Sequence, residues 1–406
     1  MASIEEALTT LAQGRFVIVV DDEDRENEGD LCLAAEFASA DRVNFMMREA
    51  RGLICVAMEP ARLRALELPQ MLENNTSRYQ TAFAVSVDAA ASEVSTGISA
   101  HDRGLTIRRL ADAEFGPADF VRPGHVFPLR ARPGGVLERA GHTEAVVDLC
   151  RLAGLAPAGV VCEITNPDGT MARRPQLEEF GSRHGIPLVS IEALIAHRRQ
   201  REQLVERGAE TVLPTQLGRW RAVGYRDLIT EAVHLALVLG EPQRERPVLV
   251  RVHSECLTGD VFGSERCDCR AQLQQAMRQI AEEGEGVVVY LRQEGRGIGL
   301  MDKLRAYHLQ DLGRDTVEAN LELGYPADSR NYQIGSQILA DLGLRRLRVM
   351  SNNPHKYYGL QGHGLEMVER VPIQVPATRH NRRYLATKRD KLGHLLEVDP
   401  VAGERP

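Results

Sequence analysis

Long apolar runs are missing from this chain of 406 residues, and none approaches the ~18 consecutive residues of a membrane-spanning helix. Aromatic residues are scarce, at 5% with a single tryptophan. That disfavours a nucleic-acid binder built on stacking platforms. No excess of one charge sign is present either. The 50 basic residues stand against 57 acidic ones, a formal −7, so no global field draws the chain to nucleic acid or to an anionic membrane. Cysteines number only seven, an odd count far below the density of a disulfide scaffold. The first residues, Met1 to Glu6, lack the basic flank and apolar stretch of a signal peptide. Together these absences predict a soluble cytoplasmic protein with reduced thiols.

What is present is ordinary for a globular chain: 43% hydrophobic and 26% charged residues. At ~150 residues per domain, the length predicts two or three domains. Helical apolar spacing covers Ile4 to Leu11, and Phe16 to Val20 reads as a buried strand. Further strand-like runs lie at Gly52 to Met58 and Gly159 to Ile164, with helices at 176–184 and 191–205. The very polar stretch from His197 to Gly208 reads as the solvated end of a helix. Beyond Pro214 the pattern restarts, with strands at Val248–Val252, Val287–Leu291 and Leu347–Met350 and helices at Leu228–Leu239, Ala271–Glu283 and Gly299–Gln310. The fold class that follows is α/β with mixed sheets, as two consecutive domains, residues 1–200 and 201–406, each with its own active site.

The block Asp21 to Asp30 holds seven carboxylates in ten residues. Like charges this close repel, and a hard divalent cation such as Mg²⁺ or Mn²⁺ would relieve the cost. An exposed acidic turn is the bland alternative, but Arg25, Asn27 and Gly29 interrupt the acids in the manner of a shaped site. His125 sits in a turn bounded by Pro and Gly, and Arg139 to Glu144 places His142 and Thr143 where a helix can begin. Such a turn can hold a phosphate at the helix N-terminus while the imidazole binds metal. Glu163 ends a strand, a common place for a base in α/β folds. Taken singly, either histidine could be an ordinary hydrogen-bonded one and Glu163 a paired core carboxylate.

Three cysteines cluster as C-x10-C-x-C: Cys256, Cys267 and Cys269. Thiolates select zinc, and three of them leave a fourth position. His253 is the nearby candidate to close a structural site. The spacing differs from paired C-x2-C knuckles and favours a catalytic site that leaves the fourth position to water. Cys32, Cys55, Cys150 and Cys162 lie among apolar neighbours and read as structural. The stretch Arg292 to Gly299 is a glycine-rich turn between a strand and a helix, alone only a weak sign of a phosphate loop. Asp328 to Tyr332 and Ser351 to Lys356 add charged groups in polar turns.

Six segments of the first half are DDEDRENEGD (21–30), ENNTSRYQTAF (73–83), STGISAHDR (95–103), RPGHVFPLR (122–130), RAGHTEA (139–145) and CEITNPDGTMAR (162–173). They resemble 3,4-dihydroxy-2-butanone 4-phosphate synthase over roughly residues 1–200. The resemblance implies conversion of ribulose 5-phosphate to dihydroxybutanone phosphate and formate with Mg²⁺ or Mn²⁺. By matching position it implies Glu26 and His142 as metal ligands and His125 and Glu163 as the acid/base pair. Arg25, Asp30, Arg139, Ala140, Gly141 and Thr143 become substrate contacts, with Cys55, Tyr79 and Thr96 near the site. In the second half RVHSECLTGD (251–260), RCDCRAQL (266–273), LRQEGRGIGL (291–300), DTVEANLELG (315–324), ADSRNY (327–332) and SNNPHKYYGL (351–360) resemble GTP cyclohydrolase II, from about residue 208 through DKLGHLL (390–396). That likeness implies release of formate and pyrophosphate from GTP, with Zn²⁺ on Cys256, Cys267 and Cys269. It implies Asp328 as proton acceptor and Arg330 as the group attacking the α-phosphate; on chemical grounds Tyr307 could assist proton transfer. An electrostatic role for Arg330 stays open, because a guanidinium is a poor nucleophile. The implied GTP contacts are Arg251, Val252, His253, Ser254, Glu255, Gln272, Glu294, Gly295, Arg296, Thr316, Ser351 and Lys356, with Mg²⁺ on the phosphates. Both families imply homodimers.

Two other readings compete with a bifunctional enzyme. One half could be a dimerisation or regulatory module with little catalysis, or the chain could be a zinc-containing nucleotide binder with none.

Overall fold

The computed structural model describes residues 1–243, 245–328, 330–354 and 363–396. The chain separates into two compact units, Met1–Arg201 and a second beginning at Glu202.

The first unit is built on a seven-stranded sheet: β1 (Val17–Val20), β2 (Gly29–Ala34), β3 (Cys55–Met58), β4 (Val87–Ala89), β5 (Phe120–Arg130), β6 (Ala158–Glu163) and β7 (Leu188–Ser190). Their order is β4-β5-β3-β6-β2-β1-β7. Pairs β1/β7 and β3/β5 run parallel and the rest antiparallel, so the sheet is mixed. Every residue of β1, β2 and β3 is buried, which explains their unbroken apolar runs: both faces of the sheet are covered. Alternate side chains feed two cores, Ile18 and Leu31 on one face, Val17 and Val19 on the other. On the second face lies the helix His142–Leu152, whose buried residues include the polar His142, Thr143, Glu144 and Asp148.

Register gathers the chemistry at one end of the sheet. Val20 opposes Gly29, Asp30 opposes Glu163, and Cys55 opposes both Phe127 and Val161. The acidic loop after β1, Asp30 on β2, Glu163 on β6 and His125 on β5 therefore share that end.

The second unit also has seven strands: β8 (Val205–Thr215), β9 (Gly218–Asp227), β10 (Val233–Leu239), β11 (Val248–Ser254), β12 (Gly286–Leu291), β13 (Arg346–Met350) and β14 (Glu366–Val371). Their order is β14-β13-β11-β12-β10-β9-β8. Strands β8, β9, β10 and β12 pair antiparallel, whereas β12, β11, β13 and β14 pair parallel. The segments Ser254–Cys256, Arg292–Gly299 and Ser351–Asn353 lie at the carboxyl ends of three neighbouring parallel strands, where open α/β sheets bind ligands.

Two element expectations are corrected. Residues 228–239 are not helical: 233–239 form β10, hydrogen-bonded on both sides to β9 and β12. A short apolar run reads equally well as buried helix or strand, and the two partners decide it. The helix expected at 191–205 ends at Arg201, and the polar stretch beyond it enters β8, which is exposed along most of its length. Among the described residues no helix is long and apolar enough to cross a membrane. All seven cysteines are free.

Candidate active sites

The acidic loop is organised from within by Asp21. Its carboxylate accepts the amides of Glu26 (3.0 Å) and Glu28 (2.9 Å) and the guanidinium of Arg25 (2.9 Å). Tyr79 ties a second loop to the first: its hydroxyl donates to the Arg25 carbonyl at 2.7 Å, and the Arg25 guanidinium lies 5.2 Å from its ring centroid. Arg139 in turn donates to the Tyr79 carbonyl at 3.0 Å and pairs with Glu144 at 2.6 Å. Ala140 and Gly141 lead from Arg139 into the helix that starts at His142 and continues with Thr143. A Cβ on Gly141 would fall 2.2 Å from Arg139 Nη1, so this turn admits no side chain while Arg139 keeps its place.

Asp21, Glu26 and His142 each offer a ligand atom, all within 4.8 Å of one another. His142 Nδ1 lies 3.4 Å from the Glu26 carboxylate, and its buried Nε2 has no hydrogen-bond partner among the described residues. Two carboxylates and an orphaned imidazole nitrogen fit a hard divalent cation. Asp21 joins the expected pair of Glu26 and His142 as a third candidate ligand.

Burial raises the Glu26 carboxyl, but a hydrogen bond with His142 and the Arg25 charge outweigh it and hold the group at about 2. Burial pushes Asp30 up to about 7, opposed by His142 and reinforced by Glu163 across the strand pair. Burial lowers His142, yet Asp30 and Glu26 outweigh that and raise it to about 9. Glu163 itself accepts the Leu53 amide at 2.8 Å.

His125 is held separately. Its Nδ1 is 2.7 Å from Asp88 Oδ2, and its amide donates to Asp88 Oδ1 at 2.9 Å. Gly97, at φ 93°, packs against this pair; a Cβ there would lie 2.1 Å from Asp88 Oδ2 and 2.6 Å from His125 Nδ1. The Gly97 turn hangs on Asp102, which accepts the Gly97 amide at 3.1 Å and the Ser95 hydroxyl at 2.7 Å, leaving Thr96 exposed. No hydrogen bond joins His125 to Glu26, His142 or Glu163 among the described residues. Cys55 is buried in β3, and burial raises its thiol well above the ordinary range.

In the second unit, the sulfurs of Cys256, Cys267 and Cys269 lie within 4.8 Å of one another. Gly259 backs them: a Cβ there would be 2.9 Å from Cys267 Sγ and 3.1 Å from Cys256 Sγ. Three converging thiols over a cradle without a side chain fit zinc. His253 does not close the set. Its Nε2 faces Asp260 at 3.1 Å and its ring stacks on Tyr290, while Asp260 also accepts the Cys256 amide at 3.0 Å.

A cleft opens beside the cysteines. Of the expected GTP contacts it is lined by Arg251, His253, Ser254, Glu255, Gln272, Glu294, Gly295, Arg296, Thr316 and Ser351, with Arg330 and Tyr307. The Val252 side chain is not among those lining the cleft, because alternate residues of β11 face opposite sides and Arg251 and His253 take the near one. Lys356 lies outside the described residues. Arg330 grips Asp328 with two nitrogens, Nε to Oδ1 at 2.8 Å and Nη2 to Oδ2, over the ring of Tyr332. Burial lowers the Arg330 guanidinium, but Tyr332 and Asp328 outweigh it and hold it above its ordinary range, fully charged.

Residues 5–197 match the family model of 3,4-dihydroxy-2-butanone 4-phosphate synthase, and residues 206–372 that of GTP cyclohydrolase II. A riboflavin biosynthesis protein RibBA from Bacillus cereus is 56% identical over 395 residues, covering 97% of this chain and 99% of that one. The chain belongs to the RibBA family. It is a bifunctional enzyme of riboflavin biosynthesis, with a 3,4-dihydroxy-2-butanone 4-phosphate synthase domain and a GTP cyclohydrolase II domain. A RibBA from Aquifex aeolicus is also 56% identical, over 97% of this chain and 98% of its own. Among solved structures, RibBX, a two-domain 3,4-dihydroxy-2-butanone 4-phosphate synthase from A. baumannii, is similar with a TM-score of 0.70 at 36% identity, covering 92% of this chain and all of that one.

In this RibBA-family chain the cyclohydrolase match stops at residue 372, yet Tyr384, Lys388 and His394 line the cleft. Lys388 Nζ is 2.7 Å from Asp268, between two of the cysteines. Asp268 also accepts Gln272 at 2.6 Å, and Gln272 accepts Arg251 at 2.7 Å. This buried chain of polar groups braces the cysteine loop. Asp88, Lys303 and Lys388 escaped sequence reasoning, because each acts through a partner distant in the chain and none lies in a spaced motif.

Proposed function

We propose that residues 1–200 convert D-ribulose 5-phosphate to L-3,4-dihydroxy-2-butanone 4-phosphate and formate. Residues 201–406 hydrolyse GTP to 2,5-diamino-6-(5-phosphoribosylamino)pyrimidin-4(3H)-one, formate and pyrophosphate. The observation that carries this is two donor clusters of opposite character in one chain, carboxylates with imidazole in one unit and three thiols in the other.

In the first unit Glu26 and His142, with Asp21, would hold Mg²⁺ or Mn²⁺, which when bound stabilises oxyanions of an enolising ketose phosphate. Arg25 and Asp30 orient the substrate, and Arg139 to Thr143 receive its phosphate at a helix N-terminus. Glu163 and His125 move protons, each already fixed by a neighbouring group. In the second unit Cys256, Cys267 and Cys269 would hold Zn²⁺, which when bound activates a water molecule. The residues lining the cleft bind GTP with Mg²⁺ on its phosphates, Lys356 completing the set. Arg330 acts as a fixed positive charge toward the phosphates, and its two-point grip on Asp328 supports this over nucleophilic attack. The enzyme works as a cytoplasmic homodimer without nucleic-acid or membrane partners.

Formate measured separately from each substrate tests the assignment. Glu163→Gln should lose formate from ribulose 5-phosphate and keep it from GTP, and Cys267→Ser should do the reverse. A variant that keeps the formate it is expected to lose removes that residue from the scheme. Light scattering on the intact chain tests the dimer.

A further inference from the structure

Lys303 projects from the helix Gly299–Asp311 and is buried, 7% exposed. Its ammonium donates to Cys256 Sγ at 3.1 Å and to Glu294 Oε1 at 2.6 Å. The other Glu294 oxygen accepts the amide of Leu257, the residue after Cys256, at 2.6 Å. A closed ring therefore runs from the Cys256 sulfur through Lys303 and Glu294 back to the backbone beside Cys256. An ion pair that only stabilised the fold would need the carboxylate alone; the second bond, to sulfur, is what such a pair does not explain.

The charge count points the same way. A zinc ion with three thiolates carries −1, and an anionic nucleotide must approach it. An ammonium in contact with one sulfur offsets that charge where water cannot, and an N–H···S bond restrains the sulfur. Both carboxylate oxygens of Glu294 are engaged within the protein, one by Lys303 and one by the Leu257 amide.

We propose that Lys303 is a positioning residue for zinc. It holds the Cys256 thiolate as a ligand and neutralises it, while Glu294 anchors Lys303. This rests on the zinc reading above.

The test uses the full-length protein with Lys303→Met, which keeps side-chain bulk and removes both charge and donor. The zinc dissociation constant, read by chelator competition, should rise ~10–100-fold, the range for loss of a partner to a metal ligand. In the cobalt-substituted protein the sulfur-to-metal charge-transfer band should move to lower energy, because a thiolate without its N–H···S bond donates more strongly. For GTP, kcat should fall with KM unchanged, while formate release from ribulose 5-phosphate stays as in the wild type. Lys303→Gln retains a neutral N–H donor and should fall between the two; it is the variant measured if the methionine protein does not fold. Wild-type zinc affinity and an unmoved cobalt band overturn the proposal, as does a raised KM for GTP with unaltered metal binding. A wild-type protein that binds no zinc and shows no cobalt–thiolate band removes instead the reading on which the proposal rests.

Discussion

Replacing Asp88 by asparagine isolates what the carboxylate does for His125. In the native protein it makes two bonds to that residue, 2.7 Å to ring Nδ1 and 2.9 Å to the amide. The first fixes the ring so that Nδ1 carries the proton and Nε2 is presented outward, on a side chain 43% exposed. Asparagine preserves shape and the amide bond but can turn its own N–H toward Nδ1, which favours the wrong tautomer or orientation. A hydrogen bond to a charged group contributes ~1.5–3 kcal/mol. At ~1.4 kcal/mol per tenfold in rate, kcat for formate release from ribulose 5-phosphate should fall roughly 10- to 150-fold. KM should change little, because the binding groups lie on other loops. Formate from GTP in the same preparation is the internal control and should be unaffected. An Asp88→Asn enzyme within twofold of wild type on ribulose 5-phosphate would refute the reasoning, and so would equal losses in both assays.

The same dyad can be disturbed from its other side: Gly97→Ala drives a Cβ to 2.1 Å from Asp88 Oδ2 at an unfavourable positive φ, so it should lower the same kcat in steady-state assays. Exhaustive chelation should abolish formate release from both substrates, with Mg²⁺ alone restoring the ribulose 5-phosphate reaction and Zn²⁺ needed in addition for GTP. Lys388→Met strands the buried Asp268 carboxylate and should destabilise the second unit by about 3–5 kcal/mol in urea titration, read from Trp220, the sole tryptophan and fully buried there. The Ser95 hydroxyl and the amides of Gly97 and Ser95 hold the Asp102 carboxyl well below its usual range. The stability this gives the turn is complete above the unfolded pKa of ~3.9 and is lost as pH falls further, so amide exchange at residues 95–97 should accelerate in that acid window.

Much of the fold could be read from local pattern wherever that pattern reports burial. The expected helix Ile4 to Leu11 is observed as Ile4–Ala12, and the run Phe16 to Val20 as Val17–Val20, because an amphipathic stripe and a doubly covered strand leave plain signatures. Strand β8 left none: its side chains are mostly exposed, and it is held by backbone bonds to β9 and by ion pairs such as Glu206 with Arg226. The candidate sites divide in a similar way. Acidic loop and cysteine cluster concentrate one kind of chemistry within a short stretch. Asp88, Lys303 and Lys388 reach their partners across 37, 47 and 120 residues, a separation that carries no trace in spacing. His253 is the converse case, close to the cysteines in sequence while its ring faces Asp260.

The Lys388–Asp268 bond also sets an order of events during synthesis. Residue 388 emerges 120 positions after the loop it braces. At ~5–20 residues per second the ribosome needs roughly 6–24 s to cover that distance. For that interval the three thiols exist without the helix Arg382–Asp390 that completes their wall, whereas the whole first unit has already been made. The residues of the first unit are therefore all in place before the wall around the second unit's thiols is complete.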